Sequence, residues 1–282
     1  MNMNRLYFIA YVLLLFIVCT GCNNTKDESG LFQQDDFRFI VASDPQLFRG
    51  KKEDLDKAIE SINNLEPEFV VMCGDLIETP SNQQQIQAYK DAVAKLSPQI
   101  LLYNLSGNHD LGLPVKIENV LVYQKNFGKL WFYFKRGNSL FIVISSDILR
   151  DEDAPMHKQQ IEWLINTLEW FQSKTMNIFV FMHHPLYLRS PDEPDAYSNM
   201  PGKIRRKLLD LFVKYQIQVV FSGHLHDNLI NSYQGVELIT TNSITVPMGK
   251  VPAGFRVVDV TRDGYEQRYY TLEQLEKQGS IK

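Results

Sequence analysis

Five apolar segments in this 282-residue chain each end abruptly in a short run of metal-binding or proton-handling residues, and that pattern constrains the fold more than any other feature. Phe37 to Ala42 is followed by Ser43-Asp44-Pro45-Gln46, Glu68 to Cys73 by Gly74-Asp75, and Ile100 to Leu105 by Gly107-Asn108-His109-Asp110. Asn177 to Met182 is followed by His183-His184-Pro185, and Ile217 to Phe221 by Gly223-His224-Leu225-His226. Short, nearly continuous apolar runs are what strands buried on both faces require. Helices are expected between them: Lys51 to Leu65, Gln83 to Leu96, Lys116 to Phe127, His157 to Phe171 and Gly202 to Tyr215. Ligands of such α/β sheets bind at the carboxyl ends of the strands, so the five polar runs are expected to converge. Five of the six histidines lie in them.

Further strands are expected at Leu130 to Phe134 and Leu140 to Ile144, a hairpin around Arg136-Gly137-Asn138. At the end of the chain, Val236 to Thr240, Phe255 to Val260 and Tyr265 to Tyr270 are expected to pair antiparallel. Net charge is −4 and no Lys/Arg block stands out, which argues against nucleic acid as a partner. Nothing in the sequence speaks to oligomeric state.

Carboxylate, amide oxygen and imidazole together suit divalent ions of intermediate hardness, and the set is too large for one ion. A two-metal centre needs a bridging carboxylate, for which Asp75 is the candidate; such a centre acts on phosphoryl groups. The order D-x-[H/Q], GD, GNH[D/E], H, GHxH resembles that of the calcineurin-like metallophosphoesterases, with every block present. The resemblance implies a four-layer α-β-β-α sandwich of two facing mixed sheets with outer helices. It implies that Asp44, Asp75 and His226 hold one metal, and Asp75, Asn108, His183 and His224 the other. It gives His109 the role of protonating the leaving group, with Asp110 orienting its imidazole.

Gln46 stands where the family usually has His, and is expected to contact its ion weakly or through water; a neutral oxygen there favours Mn²⁺, with Mg²⁺, Fe or Zn²⁺ as alternatives. Asp44-Pro45-Gln46, the loop from Pro185 to Tyr197, and the tail from Gly254 to Leu275 resemble the calcineurin-like phosphoesterase domain-containing, serine/threonine phosphatase-like branch. The expected activity is hydrolysis of a small phosphomonoester. A diesterase or a hydrolase of ADP-ribose or CDP-alcohol pyrophosphates is the alternative, and a scaffold that kept the fold without the activity is the second. Arg189, in the loop after His183, either pairs with a substrate phosphate or carboxylate or is an ordinary exposed arginine. Asp147 either lines the pocket or caps a turn; His184 is expected behind the ligands, and Cys73 in the core.

The first residues look like an address. Arg5 precedes an apolar run from Leu6 to Val18, then Thr20, Gly21 and Cys22. That run is short for a bilayer span and suits a secretory segment. It resembles a bacterial lipoprotein signal, cleaved before a Cys22 that becomes lipidated; a plain signal peptide or an uncleaved anchor are the alternatives. The expected organisation is a signal over 1–21, a lipidated Cys22 and tether over 22–36, a catalytic domain over 37–275 and a tail over 276–282. The expected location is the cell envelope, with the protein held to a membrane by its lipid.

Overall fold

The computed structural model describes residues 36–154, 156–172 and 177–279. The expected signal, Cys22 and nearly all of the tether lie outside the described residues. Eleven strands and eight helices follow one another among those described. The strands are β1 (Phe37–Ala42), β2 (Phe69–Cys73), β3 (Leu101–Leu105), β4 (Phe132–Arg136), β5 (Ser139–Val143), β6 (Asn177–Phe181), β7 (Val219–Ser222), β8 (Leu229–Tyr233), β9 (Val236–Thr240), β10 (Gly254–Thr261) and β11 (Gly264–Thr271). The helices are α1 (Lys52–Leu65), α2 (Gln83–Val93), α3 (Asn108–Leu111), α4 (Ile117–Phe127), α5 (Ser146–Arg150), α6 (His157–Phe171), α7 (Gly202–Lys214) and α8 (Leu272–Gly279). None of the described helices is long and apolar enough to cross a membrane.

The strands form two mixed sheets. One has the order β11-β10-β1-β2-β3, the other β4-β5-β6-β7-β9-β8. β1, β2 and β3 run parallel, as do β5, β6, β7 and β9. The sheets bury an aromatic layer between them. Phe39 stacks on Phe69 with ring centroids 4.9 Å apart, Phe141 on Phe179 at 5.0 Å, and Phe181 on Phe221 at 5.5 Å. Cys73 sits in this layer, fully buried, as expected. Phe132 and Phe134, from the aromatic run after Leu130, pack at its edge.

Each outer face is covered by amphipathic helices. Leu55, Ala58, Ile59 and Ile62 of α1 and Ile86, Tyr89 and Ala92 of α2 pack on the first sheet. Ile161, Leu164 and Leu168 of α6 and Ile204, Leu208 and Phe212 of α7 pack on the second. Asn82 caps α2, its side chain accepting from the N–H groups of Gln84 and Gln85 at 3.1 Å each. The result is the expected α-β-β-α sandwich.

The tail departs from the sequence expectation. β9 does not pair with β10. It lies in the second sheet, parallel to β7 and antiparallel to β8, a strand the sequence did not announce. Only β10 and β11 form the antiparallel hairpin, and β10 pairs with β1 in the first sheet. The residues between Thr240 and Gly254 carry the chain from one sheet to the other. α8 runs to Gly279, past the expected domain end at 275.

Candidate metal centre

The five polar runs sit at the carboxyl ends of β1, β2, β3, β6 and β7. Three come from one sheet and two from the other, and their side chains tie the sheets together. Asp44 Oδ2 accepts from the backbone N–H of His224 at 2.9 Å and from Ser43 Oγ at 2.5 Å. His183 Nδ1 donates to the carbonyl of Cys73 at 2.8 Å. Asp44, Asp75, His183, His224 and His226 are all buried.

Tight turning at the strand ends is visible in the backbone. Asp44, Gln46, Asp75, His224 and His226 all have φ between 36° and 71°, the left-handed region. Each such non-glycine residue costs on the order of 1 kcal/mol, a strain that collects at functional sites. Two glycines are dictated by the crowding. A Cβ on Gly107 would lie 2.2 Å from Asp75 Oδ1, and one on Gly223 would lie 2.6 Å from Asp44 Oδ2.

Two groups of side chains have donor atoms within 4.8 Å of one another: Asp75, His183 and His224, and Asp44, Asp75 and His226. Asp75 belongs to both. His183 Nε2 lies 3.3 Å from Asp75 Oδ2 and 3.3 Å from Asn108 Oδ1. His226 Nε2 lies 3.5 Å from Asp44 Oδ1, while its Nδ1 donates to the carbonyl of Val246 at 2.5 Å. His224 is turned the other way: its Nε2 donates to the carbonyl of Tyr197 at 3.1 Å, which leaves Nδ1 for the interior. In each imidazole one nitrogen is thus engaged by a backbone carbonyl, the arrangement that fixes the tautomer of a metal-ligating histidine.

The electrostatics are those of a site built for cations. Burial alone would lower His183, but the facing carboxylates of Asp75, Asp44 and Asp147 override it and hold the imidazole at about 10. Asp75 would be raised by burial, and His183 and His109 bring it down to about 2. Burial and the neighbouring His183 depress His224 to about 3. Asp44 is raised by burial. Asp44 Oδ1 and both amide atoms of Gln46 are buried with no hydrogen-bond partner among the described residues. Unpaired buried oxygens of this kind cost about 1–3 kcal/mol each, a cost that a coordinated cation removes. The donor set therefore fits a pair of divalent ions.

His109 stands at the rim, its side chain a quarter exposed. Its backbone N–H donates to Asp75 Oδ1 at 2.8 Å. Its Nδ1 meets the carbonyl of Glu78 at 2.8 Å and the Glu78 carboxylate at 3.6 Å. The expected partnership with Asp110 is not there. Asp110 points back into the turn and accepts from the N–H groups of Gly107 at 2.9 Å, Leu76 at 3.1 Å and Ile77 at 3.3 Å. It braces the Gly74-Asp75 loop against the Gly107 turn, and Glu78 holds the imidazole in its place. Sequence reasoning missed Glu78, which no strand delivers and no motif marks.

Arg189 is not brought to the centre. Its N–H donates to Glu193 Oε2 at 2.8 Å, and its side chain lines a separate cleft of about 590 Å³ with Tyr187, Pro191, Ile230, Asn231, Ser232 and Glu237. No candidate ligand lines that cleft. The same loop does deliver Tyr197, whose hydroxyl accepts from Asn108 Nδ2 at 2.9 Å. Asp147 and His184 lie buried beneath the ligands: His184 Nδ1 contacts Ser146 Oγ at 2.9 Å, and Asp147 Oδ1 lies 3.7 Å from the same imidazole nitrogen. His157 opens α6 and lines a cleft that none of the ligands touches.

The fold and the site have counterparts. Residues 37–228 match the family model described as calcineurin-like phosphoesterase. The chain is 34% identical over 269 residues to serine/threonine-protein phosphatase CPPED1 of Danio rerio, covering 86% of this chain and 87% of that protein. It is 35% identical over 234 residues to the Homo sapiens protein of the same name, 79% of this chain and 74% of that one. The solved structure of a dimetal phosphatase from Danio rerio superposes with a TM-score of 0.63 at 16% identity, over 84% of this chain and 96% of that one. With two buried ligand groups sharing Asp75 and a match spanning the strand-end motifs, this chain belongs to the calcineurin-like phosphoesterase family of metal-dependent phosphoester hydrolases.

Proposed function

We propose that the chain hydrolyses a phosphomonoester at a two-metal centre. Asp44, Asp75 and His226 would hold one ion, to which Gln46 would offer a neutral oxygen weakly or through water. Asp75, Asn108, His183 and His224 would hold the other. The observation that carries this is the shared carboxylate: Asp75 alone belongs to both groups of converging donors. Two divalent ions supply charge stabilisation for the phosphoryl group and a water acidic enough to act as nucleophile near neutral pH.

The chain's own residues do the rest. Asp75 spends one oxygen on the His109 N–H, so its position relative to the proton donor is fixed. His109 Nδ1 is held by the Glu78 carbonyl, which leaves Nε2 to give a proton to the departing oxygen. The Glu78 carboxylate, 3.6 Å from the same Nδ1, adds a second contact on that side of the ring. Gln46, with a neutral oxygen, supports Mn²⁺ as the ion on its side.

The test is hydrolysis by the full chain after metal stripping, with Mn²⁺, Mg²⁺, Zn²⁺ and Fe²⁺ restored separately. Turnover of para-nitrophenyl phosphate with Mn²⁺ is expected. Preference for its bis-ester or for ADP-ribose would move the assignment to a diesterase or pyrophosphate hydrolase. Lipid anchoring through Cys22 in a cell envelope remains part of this reading, resting on the N-terminal sequence. Cys22→Ser should release the protein from membranes, and unchanged membrane association would refute the anchor.

A further inference from the structure

Three exposed apolar side chains belong to segments that hydrogen-bond directly to the metal-centre residues. Tyr197 is 59% exposed, Phe48 57% and Met248 58%. Tyr197 stands over His224 with ring centroids 4.8 Å apart, and its hydroxyl takes the Asn108 amide. Met248 is pinned to the second histidine of Gly223-His224-Leu225-His226, its N–H donating to the His226 carbonyl at 2.7 Å. Phe48 lies two residues beyond Gln46, in a turn closed by the N–H groups of Arg49 and Gly50 donating to the Gln46 carbonyl at 3.0 and 2.9 Å. The Phe48 and Met248 segments are themselves joined, Thr245 Oγ1 donating to the Pro45 carbonyl at 2.8 Å.

Phe48 is the telling member. Its φ is 81°, a conformation that glycine or asparagine adopts with far less strain than a bulky residue. The ring gains no compensating burial, so neither local conformation nor core packing accounts for phenylalanine at this position. Tyr197 is placed with equal firmness. The Glu193 carboxylate gathers the N–H groups of Leu188, Arg189 and Ser190 and the Asn199 amide, and Arg150 donates to the Ala196 carbonyl. The loop thus presents its aromatic ring without needing to order it on binding, which favours recognition.

We propose that Tyr197, Phe48 and Met248 form an apolar rim that receives the leaving group, making aryl phosphates the substrate class of this site. The inference rests on the phosphomonoesterase reading given above. Aromatic and thioether surfaces favour a flat apolar group by stacking and by sulfur–ring contact. The Tyr197 hydroxyl accepts from Asn108 and keeps its own hydrogen for a phosphate oxygen. Ring contacts therefore select the leaving group, while the hydroxyl serves any phosphate.

The experiment is calorimetric binding of methylphosphonate, phenylphosphonate and naphthylphosphonate to the Mn²⁺-loaded full chain. These probes are not hydrolysed, so the readout is independent of turnover. The expected order is naphthyl tighter than phenyl tighter than methyl, with about tenfold or more across the series. The double variant Phe48→Ala/Met248→Ala should bring the series to within about threefold and leave methylphosphonate binding unchanged. Tyr197→Phe should weaken all three by the same factor, about tenfold. Equal affinity across the series, including no binding of any probe, overturns the proposal, as does an aryl preference that survives the double variant. An aryl preference in a chain that turns over no ester would sink the phosphomonoesterase reading and keep the rim. Turnover with no aryl preference would do the reverse.

Discussion

His183 Nε2 lies 3.3 Å from Asp75 Oδ2, and the other nitrogen of the same ring donates to the carbonyl of Cys73, two residues before Asp75. One imidazole from the second sheet thus grips both the backbone and the carboxylate of a single turn of the first. The carboxylates of Asp75, Asp44 and Asp147 outweigh burial and keep this imidazole protonated up to about 10. Seating a divalent ion there must expel that proton. Mn²⁺ affinity is therefore expected to climb between about pH 6 and about pH 9, by up to roughly tenfold per unit. Titration of Mn²⁺ binding at several pH values checks this, and a flat profile contradicts it.

His109 is held through Nδ1 by Glu78, and among the described residues its ring belongs to neither group of donors that converge on Asp75, so its loss should spare the ions. His109→Ala should lower kcat by about 10²–10⁴-fold with metal content unchanged. Elemental analysis alongside steady-state kinetics separates the two quantities. Full activity in the variant removes His109 from the mechanism.

Asp110 braces backbone rather than orienting His109. Replacing it by asparagine turns one acceptor oxygen into a donor facing the N–H groups of Leu76, Ile77 and Gly107. Asp110→Asn should destabilise the fold by about 1–3 kcal/mol. The pH at which the acid limb of the rate profile falls should stay where it is. A displaced limb with unchanged Tm would restore the pairing with His109 that the motif implies.

Asp147 is buried, its Oδ1 has no hydrogen-bond partner among the described residues, and burial raises its carboxyl to about 7. A group raised in this way takes up a proton on folding, so its contribution to stability declines as pH climbs from the ordinary carboxylate value through about 7. Asp147→Asn should therefore raise the Tm of the metal-free protein more at about pH 8 than at about pH 5, where the native carboxyl is already neutral. Equal shifts at both values would contradict the buried, strained carboxyl.

The sandwich was legible because a strand buried between helices and a second sheet has to be apolar along its length. β1, β2, β6 and β7 announced themselves in that way, and each ended at its ligand. β8 did not, because it is an edge strand whose residues alternate between partly buried and exposed, and Leu229 to Tyr233 lacks an apolar run. The pairing of β9 was misjudged for a related reason. Short turns favour hairpins, but the segment after Thr240 is long enough to cross to the other sheet, and nothing local marks that crossing. Within the site, ligands were legible because motif spacing places them at strand ends. The partners of His109 and Tyr197 were not, since Glu78 and the loop that Glu193 gathers act through folded geometry rather than through spacing. Arg189 shows the converse: closeness to His183 in sequence did not bring it to the centre.

The central claim is that one carboxylate joins two ions. It is tested most directly by counting bound Mn²⁺ per chain by elemental analysis in the native protein and in Asp75→Asn. The account predicts about two ions in the native chain and at most one, weakly held, in the variant. A native chain that saturates at one ion, or a variant that retains two, would contradict it.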